Sequence, residues 1–334
     1  MNELIFNHII PRIRVFESRL LDQARFERMI HASSAGEALD ILLRDPEYAF
    51  FADQMNRPED YETLLHLELQ RVYNLFYEIT PVKEVVDIMT LKYDYHNLKV
   101  LVKAKILEKD FSHLLTPIGT VELDLLQNAL KTETYDDLRL IMREAVEEVF
   151  SDFEKTEDPQ RIGILFDRYM FEEMTEIAKN MNNTFLTRYV QAKIDLANLE
   201  TLLRVRQKQK GREFLETVIL GGGSIDKDKF FDLLTTPIEN LPKQFAATDY
   251  DKLLKVAIED FLKTKSLKLF DKLMANYLMD MAKDEKIVSF GLESVIGYLY
   301  AKEMEITSIR IIMVGKFNNI STEAIVERLR DTYE

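Results

Sequence analysis

Three features of the 334-residue sequence predict an all-α fold. Glycine (10) and proline (8) are scarce. Apolar residues recur at three- and four-residue steps along most of the chain, which is the period of one helix face. Strand-like alternation bounded by turn residues is nearly absent. The segment Tyr61–Ile79 shows the pattern, with Tyr61, Leu64, Leu65, Val72, Leu75, Phe76 and Ile79 in one stripe. Asn56 is placed to cap this helix, Pro58 falls in its first turn and Pro81 follows its end. Gly221, Gly222 and Gly223 mark the clearest loop, and its composition reads as a flexible linker.

The helices repeat. The stretches Lys92–Lys105, Lys193–Arg206 and Glu303–Lys316 align on an acid (Asp94, Asp195, Glu305) and a small polar residue three positions later (Asn97, Asn198, Ser308). Aliphatic residues follow at the fourth place (Leu98, Leu199, Ile309) and the seventh (Leu101, Leu202, Ile312), with Val102, Leu203 and Met313 at the eighth. A cation closes each stretch at the eleventh (Lys105, Arg206, Lys316). All these offsets fall on one face of a helix. The acid comes first and the cation about three turns later, the order that the helix dipole favours. A polar pair within an apolar stripe must be hydrogen-bonded if it is buried.

A second helix precedes each copy. Leu67–Ile79 resembles Ile164–Ile177 and Leu267–Met281, and Phe166-Asp167-Arg168 matches Phe270-Asp271-Lys272 most closely. Asp158-Pro159 supplies a cap for the second copy. Two matching helices in the same order, three times, predict three homologous helical units at 1–112, 113–223 and 224–334. The third diverges most, with a longer connection at Lys283–Phe290.

Composition narrows the function. Hydrophobic residues make up 46% and charged residues 31%, as in globular chains. The absence of cysteine rules out disulfides, thiolate metal sites and cysteine nucleophiles. The net charge of −14 argues against nucleic acid as the main partner and against direct docking on anionic lipid. The N-terminus lacks the uninterrupted apolar core of a secretory signal, and no apolar run is long enough to span a bilayer. A soluble or peripheral chain is expected.

No motif points to chemistry. The five histidines (His8, His31, His66, His96, His113) form no metal-ligand spacing, and His96 aligns with Ala197 and Thr307 at the equivalent positions. Gly315-Lys316 lacks the upstream glycine of a phosphate loop, and Gly221–Gly223 lacks the dinucleotide spacing and the βαβ context. Asp136-Asp137-Leu138-Arg139-Leu140 lacks the last carboxylate of a diphosphate–magnesium motif. Neither a catalytic group, a cofactor nor a metal is expected. Arg204, Arg206, Lys208, Lys210 and Arg212 form one dense basic run, either a solvated helix end or a docking strip for an acidic partner. These absences favour a binding or connecting protein over an enzyme.

The stretch Gly297–Ser321 closely resembles the end of the V/A-type rotary ATPase subunit called C in bacteria and archaea, and d in eukaryotes. So do Asp94–Lys99, Asp195–Leu199 and the Gly221–Gly223 turn, and the resemblance covers essentially the full chain. It implies a funnel of three similar helical units about a pseudo-threefold axis. It also implies a place on the cytoplasmic end of the membrane rotor ring, where the chain receives the tip of the central stalk. Such a subunit couples rotation of the soluble ATP-hydrolysing sector to ion movement, and itself binds no nucleotide. The coupled ion, sodium or proton, is set in the ring. The alternative is a free cytosolic helical-repeat scaffold, which would share the architecture and the lack of catalytic motifs.

Overall fold

The computed structural model describes residues 3–288 and 291–333, and among them there is no β-strand. The protein is all-α. In chain order the helices are α1 (Ile10–Glu17), α2 (Gln23–His31), α3 (Ala35–Leu43), α4 (Pro46–Ala49), α5 (Tyr61–Ile79) and α6 (Glu84–Leu107). Then come α7 (Leu123–Thr132), α8 (Leu140–Thr156), α9 (Pro159–Met181), α10 (Thr184–Gln207), α11 (Arg212–Val218) and α12 (Lys227–Leu233). The chain finishes with α13 (Leu241–Gln244), α14 (Asp251–Thr264), α15 (Lys268–Val288), α16 (Leu292–Phe317) and α17 (Thr322–Arg328).

Short polar side chains start many of these helices by accepting an otherwise unpaired amide of the first turn. Asp22, Ser34, Asp45, Asp158, Asn183, Asp226 and Ser321 do so for α2, α3, α4, α9, α10, α12 and α17. The stop signals are different. Glu108, Glu133, Glu157, Asn182, Gln209, Lys265 and Asn319 take left-handed backbone angles just beyond α6, α7, α8, α9, α10, α14 and α16. None of them is glycine, so each stop carries a cost that packing must offset.

Two expectations need correction. Asn56 does not cap α5 with its side chain; the Asp60 carboxylate instead accepts the backbone amides of Asn56 and Arg57, at 3.1 and 3.2 Å. Asp60 stands closer to the helix start and ends a 3-10 turn over Pro58–Asp60, so it has the shorter reach. The predicted connection at Lys283–Phe290 is helical up to Val288, because α15 runs on; Ser289 and Phe290 lie outside the described residues.

The chain divides into two compact units, one of residues 87–237 and the other of residues up to 86 together with those from 238 onward. In the first, α9 packs between α8 and α10, and α11 and α12 lie against α10. Phe166, Leu186, Tyr189, Ile194, Leu202 and Val146 are among its buried side chains. In the second, α16 is central: it packs against α15, α5, α1, α3, α2 and α17. Most of its length is buried, including Lys302 and Glu305.

Candidate functional site

The repeated polar positions lie in the middle of long helices, buried, and the acids and asparagines among them are satisfied by segments elsewhere in the chain. On α6, Asp94 and Asn97 are both buried. Asn97 exchanges two hydrogen bonds with Thr116, accepting its amide at 3.0 Å and donating to its carbonyl at 2.8 Å. Asp94 accepts the Thr120 amide (2.9 Å) and hydroxyl (2.7 Å) and the Val121 amide (3.3 Å). These contacts fix the lead-in to α7. Burial raises the Asp94 carboxyl to about 6, although the Thr120 donors and Arg139, 3.7 Å away, favour its charged form. Arg139 also pairs with Glu173 at 2.6 Å, and Glu173 accepts the Tyr95 hydroxyl at 2.8 Å.

On α10 the same device holds the lead-in to α12. Asn198 accepts the Leu220 amide at 2.8 Å and donates to its carbonyl at 3.0 Å. Asp195 accepts the Ser224 amide (3.1 Å) and hydroxyl (2.5 Å) and the Ile225 amide (3.1 Å). The triple glycine is therefore no slack linker. A methyl on Gly223 would sit 2.2 Å from the Asp195 carboxylate, and Gly222 takes φ +91°. Gly119 stands in the same relation to Asp94, at 2.1 Å. Only glycine lets the backbone come that close.

On α16 the acid is Glu305, and it reaches the lead-in to α2, accepting the Leu21 amide at 2.5 Å. Here the residue before the donor is Leu20 rather than glycine. The extra methylene of glutamate spans the distance that glycine removes in the other copies. Fewer amides arrive, and side chains supply the rest. Glu305 accepts the Tyr48 hydroxyl and the Lys302 ammonium, both at 2.7 Å. Lys302 is 1% exposed and also meets the fully buried Glu68 at 3.2 Å. Burial opposes its charge, but Glu305 and Glu68 hold it firmly protonated. Burial also pushes the Tyr48 hydroxyl well up, so it remains a donor. Ser308 is buried in the stripe but has no amide to exchange with a backbone.

The closing cations finish the pattern. Lys105 donates to the Leu130 carbonyl of α7 (2.8 Å), Arg206 to the Leu233 carbonyl of α12 (3.2 Å) and Lys316 to the Ala32 carbonyl after α2 (2.6 Å). Each long helix thus grips one short helix at both ends, with its acid near the first turn and its cation on the last carbonyls. The helix dipole favoured by the spacing is the short helix's, not the long helix's own. Just after each cation, Glu108, Gln209 and Asn319 turn left-handed. The following amides bond back to Ala104, Val205 and Gly315 at 3.1, 2.9 and 2.9 Å. One further match joins α6 to α9 and α16 to α5: Lys99 pairs with Asp167, and Arg310 with Glu62 at 2.8 Å.

The basic run is only partly open. Arg204 pairs with Glu200, Arg206 is held on α12, and Arg212 pairs with Glu216 at 2.8 Å and lies over the Phe231 ring. Lys210 lies over the Phe214 ring, and Lys208 is exposed. Exposed His96 bonds to the Leu114 carbonyl at 2.9 Å. Among the described residues no cluster of histidine and acid side chains has metal-binding geometry, and no helix is long and apolar enough to cross a membrane. Spacing alone missed Gly119, Thr120, Tyr48, Glu68 and Lys302. A glycine followed by a hydroxyl residue, at 119–120 and 223–224, was the available signal for the first two.

The buried polar groups of this all-α chain fasten its own short helices to long ones. Its family is specific. The chain belongs to the ATP synthase (C/AC39) subunit family, whose sequence model matches residues 9–328. It is similar to the C subunit of the V-type sodium ATPase of Enterococcus hirae, 29% identical over 98% of this chain and 99% of that protein. It is similar also to the C subunits of the A-type ATP synthases of Methanocaldococcus jannaschii and Methanosphaera stadtmanae. The first is 26% identical over 96% of this chain and 85% of that protein, the second 23% identical over 91% and 82%.

Proposed function

We propose that the chain is the non-catalytic central-rotor adaptor of a V/A-type ATPase. In this reading it joins the central stalk of the soluble, ATP-hydrolysing sector to the membrane rotor ring and transmits torque for ion transport. It sits at the cytoplasmic face of the membrane, without a span of its own. Family membership across residues 9–328 carries the reading. The joints support it physically. A torque adaptor needs elements that do not slip. Each short helix is held at its start by buried, hydrogen-bonded groups whose loss costs roughly 1–3 kcal/mol apiece, and at its end by a cation that is half-buried (Arg206, Lys316) or exposed (Lys105). We propose further that residues 1–112, 113–223 and 224–334 are three homologous units. Asp94/Asn97, Asp195/Asn198 and Glu305/Ser308 then fasten each unit to the lead-in of the next, and the third to the first. The Arg204–Arg212 run is proposed as a contact with the stalk or the ring, through Lys208 and the outward edges of its neighbours.

A tagged pull-down from mildly detergent-solubilised membranes tests the assignment. Recovery of stalk and ring subunits, with ATPase activity in the complex and none in the isolated chain, is the expected outcome. A chain that stays in the soluble fraction with unrelated partners would refute it. Reversing the charge of Arg204, Lys208 and Arg212 together should weaken assembly and flatten its salt dependence; unchanged salt sensitivity removes the run from the contact.

A further inference from the structure

The space between α16 and α17 takes no part in the joints. Gly315 lets α17 pack hard on α16, since a methyl there would lie 2.6 Å from the Ile325 side chain. Beside that contact the two helices enclose an open cavity of about 230 Å³. Ile311, Val314, Ile320 and Ala324 make its apolar wall, and Arg310 and Arg328 complete the lining. An apolar cavity of about 150 Å³ holds benzene, so this one has room for a phenyl or leucine side chain. Val314 is 38% exposed although it lines the cavity, and Val326, further along α17, is 49% exposed. Arg310 is turned to Glu62, whereas Arg328 is exposed and makes no ion pair among the described residues. Arg328 is therefore the open cation at the cavity, Arg310 being already neutralised by Glu62, in a chain whose overall charge is −14.

We propose that this cavity is a docking pocket for a partner protein, which inserts one large apolar side chain flanked by carboxylates. A buried apolar anchor with a polar rim is the usual core of such a contact. Arg328 selects acidic neighbours for the anchor, because it attracts a carboxylate placed beside it and repels a basic segment. The proposal does not depend on the rotor assignment, since its evidence is the shape and charge of the cavity alone.

Fluorescence anisotropy of the full chain with three labelled peptides tests it. One presents a phenylalanine flanked by glutamates, the second replaces that phenylalanine with alanine, and the third replaces the glutamates with lysines. The first should bind at least about tenfold more tightly than either control, a difference of about 1.4 kcal/mol. Ala324→Phe, which fills the cavity, should abolish that binding. Arg328→Glu, at an exposed position, should erase the preference for acid without lowering the thermal midpoint. Equal binding of the glutamate-flanked and lysine-flanked phenylalanine peptides, with the alanine peptide weaker, is what a plain apolar hole or a lipid-chain site would give, and it overturns the proposal, as does equal binding of all three. So does no binding at all, or binding that survives both substitutions.

Discussion

At Gly119 and Gly223 the backbone lies so near a carboxylate that a single methyl decides the joint. Gly119→Ala and Gly223→Ala place a Cβ 2.1 and 2.2 Å from Asp94 and Asp195. Each should lower stability by about 1–3 kcal/mol in urea unfolding, the cost of breaking a buried hydrogen bond. Gly163, inside α9 with open space around it, is the control: Gly163→Ala should gain about 0.5–1 kcal/mol from helix propensity. In the third joint the sensitive residue is Lys302. Lys302→Met leaves Glu68 and Glu305 buried beside each other without their cation and should cost about 3–5 kcal/mol. Asp94 adds a pH dependence. Its folded carboxyl titrates at about 6, above the unfolded value of about 4, so the folded chain holds this proton more tightly. Its contribution to stability is complete below about pH 4 and is lost as pH rises through 6. The stability difference between the wild type and Asp94→Asn should therefore shift against the wild type across that window. A difference that stays flat would show that Asp94 titrates as an ordinary carboxylate.

At the scale of the helix, the stops after α6, α10 and α16 are made by Glu108, Gln209 and Asn319 in left-handed conformation. Substituting glycine relieves the Cβ penalty. Glu108→Gly and Gln209→Gly should each raise stability by about 0.5–1 kcal/mol, Asn319→Gly less, because asparagine tolerates these angles. The effects should add, since the sites share no partner; a loss of stability would mean the side chains themselves hold the stops. The long helices were legible because periodicity and capping act within a few residues: Tyr61–Ile79 is found as drawn, and Asp158 caps α9. The alignment also placed Asp94, Asp195 and Glu305 within an apolar stripe, where burial demands hydrogen bonds, and all three are buried. What they bind was not legible. Thr120, Ser224 and Leu21 are brought to them by packing, and in Leu21's case from 284 residues away. The glycine loop was misread for the same reason. Composition resembles a linker, while the close approach of Asp195 is a tertiary fact.

At the scale of the whole chain, buried polar groups are concentrated on α6, α10 and α16, and the outside is acidic. That division suits a stiff body that works by contact with other proteins. Under the proposed function, replacing Asp195 and Asn198 together with alanine should lower the melting temperature and, with it, the retention of the chain in the assembled ATPase. An unchanged melting temperature would mean that this joint holds nothing together. The adaptor role itself is tested most directly by ATP-driven ion uptake into vesicles carrying the membrane sector, supplied with the soluble sector, with and without this chain. Without it, ATP should still be hydrolysed but no ions should accumulate, and adding the purified chain should restore uptake. Uptake that proceeds undiminished in its absence would contradict the adaptor role.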